Sequence, residues 1–195
     1  MKVVAFNGSP RPEGNTTLLL RHVFAALEKA GIEAEMVRIC GEKVRGCAAC
    51  YRCWETKDGV CALKDDPVNG WIDRMREADG VILASPTYFA DATTEMKALI
   101  DRGGMATRAG GNLLARKVGA AVVAVRRAGA IHVFDTLNHF FLINEMIVPG
   151  SCYWNIGIGR EPGEVGSDEE GLRTMRVLGE NMAWLLKRIH SGENP

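Results

Sequence analysis

Apolar positions along the chain fall into two alternating patterns. "KVVAFNG" (Lys2–Gly8) is a short β-branched run that ends in turn residues, the pattern of a strand buried on both faces. "NTTLLLRHVFAALEKAG" then places Leu18, Leu19, Val23, Phe24 and Leu27 at helical spacing, with Asn15 or Thr16 as N-cap and Gly31 as C-cap. "EAEMVRI" (Glu33–Ile39) alternates and predicts a second strand, so the chain opens β-α-β. An irregular, cysteine-bearing stretch follows. Beyond it the pattern predicts a helix over Asp66–Gly80, with Asp66 as N-cap and Pro67 at the first helical position. A buried strand over Gly80–Tyr88, a helix over Thr93–Gly104 stopped by its glycines, and a buried strand over Lys117–Val125 come next. A long apolar helix covers Gly129–Met146. "IVPGSCYWNIGIG" starts as a last strand and then turns to loop. Asp168–Ile189 closes as an amphipathic helix with Leu172, Met175, Leu178, Met182 and Leu185 on one face.

Five strands alternating with helices predict an α/β fold, a doubly wound five-stranded parallel sheet. A cysteine-rich loop (43–65) is inserted after the second strand, and a C-terminal loop and helix occupy 150–195. The length of 195 residues points to one domain over 1–195. In such sheets ligands bind beyond the carboxyl ends of the strands, near the topological switch point. Charge narrows the function. Lys+Arg and Asp+Glu are 24 each, so no basic face is implied and nucleic acid is a poor partner. No apolar run approaches the ~20 residues of a membrane helix. The N-terminus reads as a strand and turn rather than a signal peptide, so a cytoplasmic protein is expected. In that reducing compartment, close cysteines are metal ligands or redox groups before they are disulfides.

Candidate chemistry begins in "NGSPRPEGNTT", between the first strand and its helix. Gly8 and Gly14 allow tight backbone, Ser9, Asn15, Thr16 and Thr17 supply donors, and Arg11 supplies a cation. All lead into a helix N-terminus, an anion site suited to a phosphate. The loop is neither G-x-G-x-x-G nor a P-loop, which disfavours a dinucleotide and excludes a P-loop nucleotide hydrolase. "SPTYFAD" places two aromatics and backbone amides just beyond another buried strand, a setting for a flat ring with a polar edge. "VRRAGAIH" (Val125–His132) also opens a helix after a strand. Arg126, Arg127 and the Ala128–Gly129 amides there face the polar edge of such a ring or nucleotide phosphates, or else form a capped helix start with solvated arginines. His132 and His139 read as core or interface histidines. No nucleophile constellation is present, so no catalytic side chain is assigned.

"GSPRPEGNTTLLL" followed by "SPTYFADATTEMKALIDR" resembles the flavodoxin-like family of NAD(P)H-dependent FMN reductases and iron–sulfur flavoproteins, from residue 1 to about Gly150. The resemblance implies that Ser9, Arg11, Asn15, Thr16 and Thr17 hold the FMN phosphate. It further implies that Pro86, Thr87, Tyr88, Phe89 and Ala90 line the isoalloxazine. Arg126, offered by the Val125–His132 stretch itself, is the further candidate contact.

Cys47, Cys50 and Cys53 share C-x-x-C-x-x-C spacing, and Cys61 lies a short way on. Four thiolates in one loop suit a 4Fe–4S cluster, whose irons each take one ligand. Tetrahedral zinc more often uses two separated pairs, and a redox C-x-x-C leaves two thiols unexplained. Iron–sulfur flavoproteins carry a compact four-cysteine motif at this place, so the resemblance implies a 4Fe–4S cluster at Cys47, Cys50, Cys53 and Cys61. Other reductases of the family keep similar cysteines without one. Cys40 reads as a buried small hydrophobe and Cys152 stands alone. The expected function is electron transfer between ferredoxin or NAD(P)H and an acceptor. The alternatives are a cluster-free NAD(P)H-dependent FMN or quinone reductase, and a flavin redox sensor without turnover. A homodimer or homotetramer is expected, with "NHFFLINEMIVPG" as subunit contact or core helix. The tail "SCYWNIGIGREPGEVGSDEEG" is expected to cover the flavin or a partner subunit.

Overall fold

The computed structural model describes residues 1–191. The apolar runs become five strands, β1 (Lys2–Asn7), β2 (Glu33–Arg38), β3 (Gly80–Pro86), β4 (Val118–Val125) and β5 (Ile156–Ile158). All pair in parallel, in the order β2-β1-β3-β4-β5. The order reverses direction between β1 and β3, the switch point of the flavodoxin-like arrangement. Among the described residues, six α-helices connect or follow the strands: α1 (Asn15–Lys29), α2 (Arg52–Thr56), α3 (Val68–Glu77), α4 (Thr94–Ala109), α5 (Ala130–Ile143) and α6 (Glu169–Ser191).

Period-two alternation divides the sheet between two cores. Val4, Phe6, Val81, Leu83, Ala121 and Val123 pack under α3, α4 and α5. Val3, Ala5, Ile82, Ala84, Ala120 and Val122 pack under α1 and α6. The apolar face predicted for α6 is there, with Met175, Leu178 and Met182 fully buried. β4 is buried along its whole length and built from small residues. At Gly119 a Cβ would fall 2.6 Å from the Phe141 ring. Gly119→Ala is therefore expected to cost about 1–3 kcal/mol through overpacking. Guanidinium denaturation measures it, and an unchanged midpoint would contradict this packing.

Several boundaries differ from the sequence reading. α1 starts at Asn15 with Gly14 as N-cap, and its C-cap is Ala30, with Gly31 following at φ 78. α3 starts one residue late: Pro67 is the N-cap, and Asp66 Oδ1 accepts the Val68 N–H at 3.3 Å. α4 runs through Gly103 and Gly104 to Ala109. Ala106 and Thr107 beyond those glycines are wholly buried, and that packing outweighs the roughly 1 kcal/mol that each helical glycine costs. The last strand is inverted relative to expectation. Ile147 makes only an isolated bridge to Val118, and the regular strand is Ile156–Ile158, paired with Val123–Val125. Pro149 and Gly150 interrupt the ladder between them. The excursion carries Tyr153 and Trp154 outward, with Trp154 against Phe134 at 6.0 Å between ring centroids.

Candidate functional site

β1 ends at Asn7, whose fully buried amide organises the turn that follows. Its Oδ1 accepts the Ser9 N–H at 2.9 Å and its Nδ2 donates to Thr17 Oγ1 at 2.9 Å. Ser9 Oγ in turn accepts the Arg11 N–H at 3.2 Å. Gly8 presses against the sheet end, its N–H reaching the Ala84 carbonyl at 2.8 Å. A Cβ there would lie 2.7 Å from Thr93 Oγ1. No side chain caps α1, and its first turn carries no acidic residue. The Leu18 N–H bonds the Gly14 carbonyl at 3.2 Å. The N–H groups of Asn15, Thr16 and Thr17 precede that bond and have no acceptor within the helix. Their exposed dipoles attract an anion.

Across the cleft, β3 runs into Pro86 and Thr87. The Thr87 N–H and hydroxyl both bond the Ala124 carbonyl, at 2.9 and 3.1 Å. Tyr88 and Asp91 then exchange two N–H···O bonds at 2.8 and 2.9 Å. Between them Phe89 and Ala90 lie at φ 49 and 62. A turn with two positive φ values normally takes Asn or Gly. Holding Phe and Ala there costs about 1–2 kcal/mol each, strain of the kind stored at functional sites. Gly129, itself at φ 87, makes room for this turn: a Cβ on it would sit 3.0 Å from the Ala90 Cβ.

The tail after β5 closes the third side. Asn15 Nδ2 donates to the Gly159 carbonyl at 2.9 Å, and the Gly159 N–H bonds the Val125 carbonyl at 2.9 Å. The Glu164 carboxylate accepts the N–H groups of Glu161 and Arg160, each at 2.7 Å. These bonds, Glu161 foremost, hold its pKa below the usual value. They also fix the turn that presents Arg160. Ser9, Arg11, Gly14–Thr16, Pro86–Tyr88, Ala124–Arg126, Gly159 and Arg160 enclose a cleft of about 190 Å³. Among the described residues, three arginines line it and no carboxylate does. A larger groove of about 850 Å³ lies between α1 and α6. Its walls carry both signs of charge and it sits on the helical face, not beyond the strand ends.

The cysteine loop hangs beside the same end of the sheet. Cys47 and Cys50 are exposed, Cys53 and Cys61 half-buried, and all are free thiols. Where irregular chain was expected, Arg52–Thr56 makes the short helix α2, bounded by Tyr51 and Lys57 at φ 56 and 54. Burial pushes the Cys53 thiol up. The Trp54 backbone opposes it, while Cys61 and Cys47 add to it. Among the described residues, no three His, Cys, Asp or Glu side chains gather around a point that would hold a metal ion. Cys40 is a structural tie. Its thiol donates to the Gly8 carbonyl at 2.8 Å, and burial pushes it up to about 11.

The family model described as NADPH-dependent FMN reductase matches residues 1–161. The chain belongs to the NADPH-dependent FMN reductase family. An iron–sulfur flavoprotein of Methanocaldococcus jannaschii is 40% identical over 97% of this chain and 99% of its own length. An iron–sulfur flavoprotein of Methanosarcina thermophila is 30% identical over 100% of both chains. RosB, solved with 8-demethyl-8-formylriboflavin-5'-phosphate, superposes with a TM-score of 0.76 at 21% identity, covering 100% of this chain and 82% of that one. The NAD(P)H:quinone oxidoreductase of Methanothermobacter marburgensis gives a TM-score of 0.67 at 15% identity, over 93% and 96%. At those identities the two structures speak for the fold. As an FMN reductase family member, the chain is an FMN-binding flavoprotein and a flavin-dependent oxidoreductase.

Within this family frame, Ser9, Arg11, Asn15, Thr16, Pro86, Thr87, Tyr88 and Arg126 meet at the cleft. Three predicted residues do not line it. The Thr17 hydroxyl accepts from Asn7 inside the protein, while Phe89 stands fully exposed and Ala90 exposed on the rim. The Asn15 side chain is spent on the tail, with Nδ2 on Gly159 and Oδ1 accepting the Val165 N–H at 3.4 Å. Asn7, Gly159 and Arg160 were missed. A polar residue ending a buried strand signals Asn7, whereas nothing local marks Arg160. His132 and His139 are both exposed, so neither is a core histidine. In the apolar stretch, Phe140 and Phe141 are core, and Leu142 and Ile143 are exposed. No helix among the described residues is long and apolar enough to cross a membrane.

Proposed function

We propose that the cleft takes the phosphate of FMN and that Cys47, Cys50, Cys53 and Cys61 bind a 4Fe–4S cluster beside it. On this reading the protein passes electrons between NAD(P)H or a ferredoxin and an acceptor. The supporting observation is the cleft itself: among the described residues, three arginines, no carboxylate and an uncapped helix N-terminus meet at the switch point. That combination suits a dianion on a phosphate monoester. A volume of about 190 Å³ is below the ~300 Å³ at which drug-sized pockets begin. It suits the phosphate and part of the sugar chain, and leaves the ring over the Tyr88–Ala90 rim.

The residues' work is binding and orientation. Ser9, Arg11 and the α1 amides fix the phosphate end. Thr87 fastens β3 to β4 at the cleft. The strained turn would hold Tyr88 and Phe89 beside a bound ring. When bound, the flavin takes electrons in pairs and releases them singly, and the cluster carries one at a time. The donor set suits the cluster chemically, since four thiols lie in one loop. A 4Fe–4S cluster would take one thiolate from each of Cys47, Cys50, Cys53 and Cys61. A cluster-free NAD(P)H-dependent reductase is the second reading, favoured by the exposure of Cys47 and Cys50. The exposed Leu142 and Ile143 suit a homodimer or homotetramer contact, and the free thiols suit the cytoplasm.

Titration of the flavin-free protein with FMN and with riboflavin tests the phosphate assignment. Two charge-assisted bonds, at about 1.5–3 kcal/mol each, predict FMN binding at least ~100-fold tighter. Equal affinities would remove the cleft from the flavin site.

A further inference from the structure

Arg102 lies in the middle of α4 with its side chain 0% exposed. A guanidinium so placed needs its donors matched. Every hydrogen bond it makes among the described residues goes to the cysteine loop or its flank. Nε donates to Cys61 Sγ at 3.3 Å, Nη1 to the Arg45 carbonyl at 3.1 Å and Nη2 to the Leu63 carbonyl at 2.9 Å. Nη1 also meets the buried Asp66 carboxylate. The backbone of Cys61 is held from the other side. Its N–H donates to Asn69 Oδ1 at 2.8 Å, and its carbonyl accepts from Asn69 Nδ2 at 3.0 Å. Cys47 and Cys50 sit exposed on the loop's outer part.

The four cysteines are therefore not equivalent. We propose that Arg102 is a positioning residue for the ligand loop. It fixes Cys61 as the corner set before a cluster is assembled, and its N–H stays on that sulfur afterwards. The second half rests on reading the loop as a cluster site; the first half does not. Arginine is required because its planar fork serves a sulfur, two carbonyls and a carboxylate together, which a lysine ammonium cannot do from one position. Hydrogen bonds to the sulfurs help to set a cluster's potential. Losing one leaves more electron density on Cys61 and makes the cluster harder to reduce.

The test is Arg102→Lys in the full chain, which keeps a cation near Asp66 and loses the fork. Arg102→Met is the harsher companion. Bound FMN at one per chain certifies that each variant folds. In the metal-free protein, amide exchange across residues 61–66 is expected to rise about tenfold or more, with α1 and β4 peptides unchanged. After reconstitution, cluster affinity is expected to fall about 10–100-fold, with a more negative midpoint potential. Wild-type exchange across 61–66 in both variants would overturn the proposal. Faster exchange with an unchanged potential would also overturn it, reducing Arg102 to a residue that merely holds the loop's shape. A wild-type protein that takes up no iron, together with faster exchange in the variants, would sink the cluster reading and support the anchoring of Cys61.

Discussion

Cys50→Ser is expected to strip the iron from the protein and leave one FMN per chain. Cys50 is exposed, so serine in its place disturbs no packing. The hydroxyl is a hard, protonated donor where a soft thiolate is needed, and three thiolates on an exposed loop are too few to retain the cluster. The flavin is insulated from this change. Its cleft is built from residues that follow β1, β3, β4 and β5, whereas the cysteines follow β2. Iron and acid-labile sulfide, measured after anaerobic purification, should fall from about four per chain to below one. Unchanged iron would exclude Cys50 as a ligand, and joint loss of flavin would mean that the loop supports the cleft.

Arg11→Ala carries the second large effect. Arg11 lines the cleft, on the turn that Asn7 and Ser9 organise. Its side chain is exposed and holds up no part of the core, so truncation removes a phosphate partner rather than stability. A hydrogen bond to a charged group contributes about 1.5–3 kcal/mol, which predicts roughly 10–150-fold weaker FMN binding. Riboflavin lacks the phosphate and should bind both proteins alike. Fluorescence titration with the two ligands checks this, and a parallel loss of riboflavin affinity would mean that Arg11 touches the ring. Added salt should narrow the difference between wild type and variant, since the pair is open to solvent.

Where burial and period dominate, the sequence foretells the structure well. β1, β3 and β4 are apolar runs buried on both faces and fall within a residue or two of their expected places. Local rules misled where tertiary packing outweighs them. Gly103 and Gly104 read as a helix stop, yet the buried turn that follows carries α4 to Ala109. The stronger apolar run around Ile147 predicts a last strand there. The sheet instead pairs Ile156–Ile158, because register with β4 decides the strand and an edge strand needs little length. At the site, the phosphate turn is legible because its donors are contiguous. Arg160 is not, because it reaches the cleft only through the path of the tail and the Glu164 cap. Nor does spacing alone distinguish Cys61 from its three companions. Its hold on Arg102 spans 41 residues of chain.

The pairing of flavin and cluster in one chain is the centre of this account. Stoichiometry tests it most directly: FMN, iron and sulfide determined together on protein purified without oxygen, with its visible absorption spectrum. One FMN with about four iron and four sulfide per chain, and a broad shoulder beneath the flavin bands, is the predicted result. One FMN with no iron or sulfide, persisting after anaerobic reconstitution, would contradict it and leave a cluster-free flavin reductase.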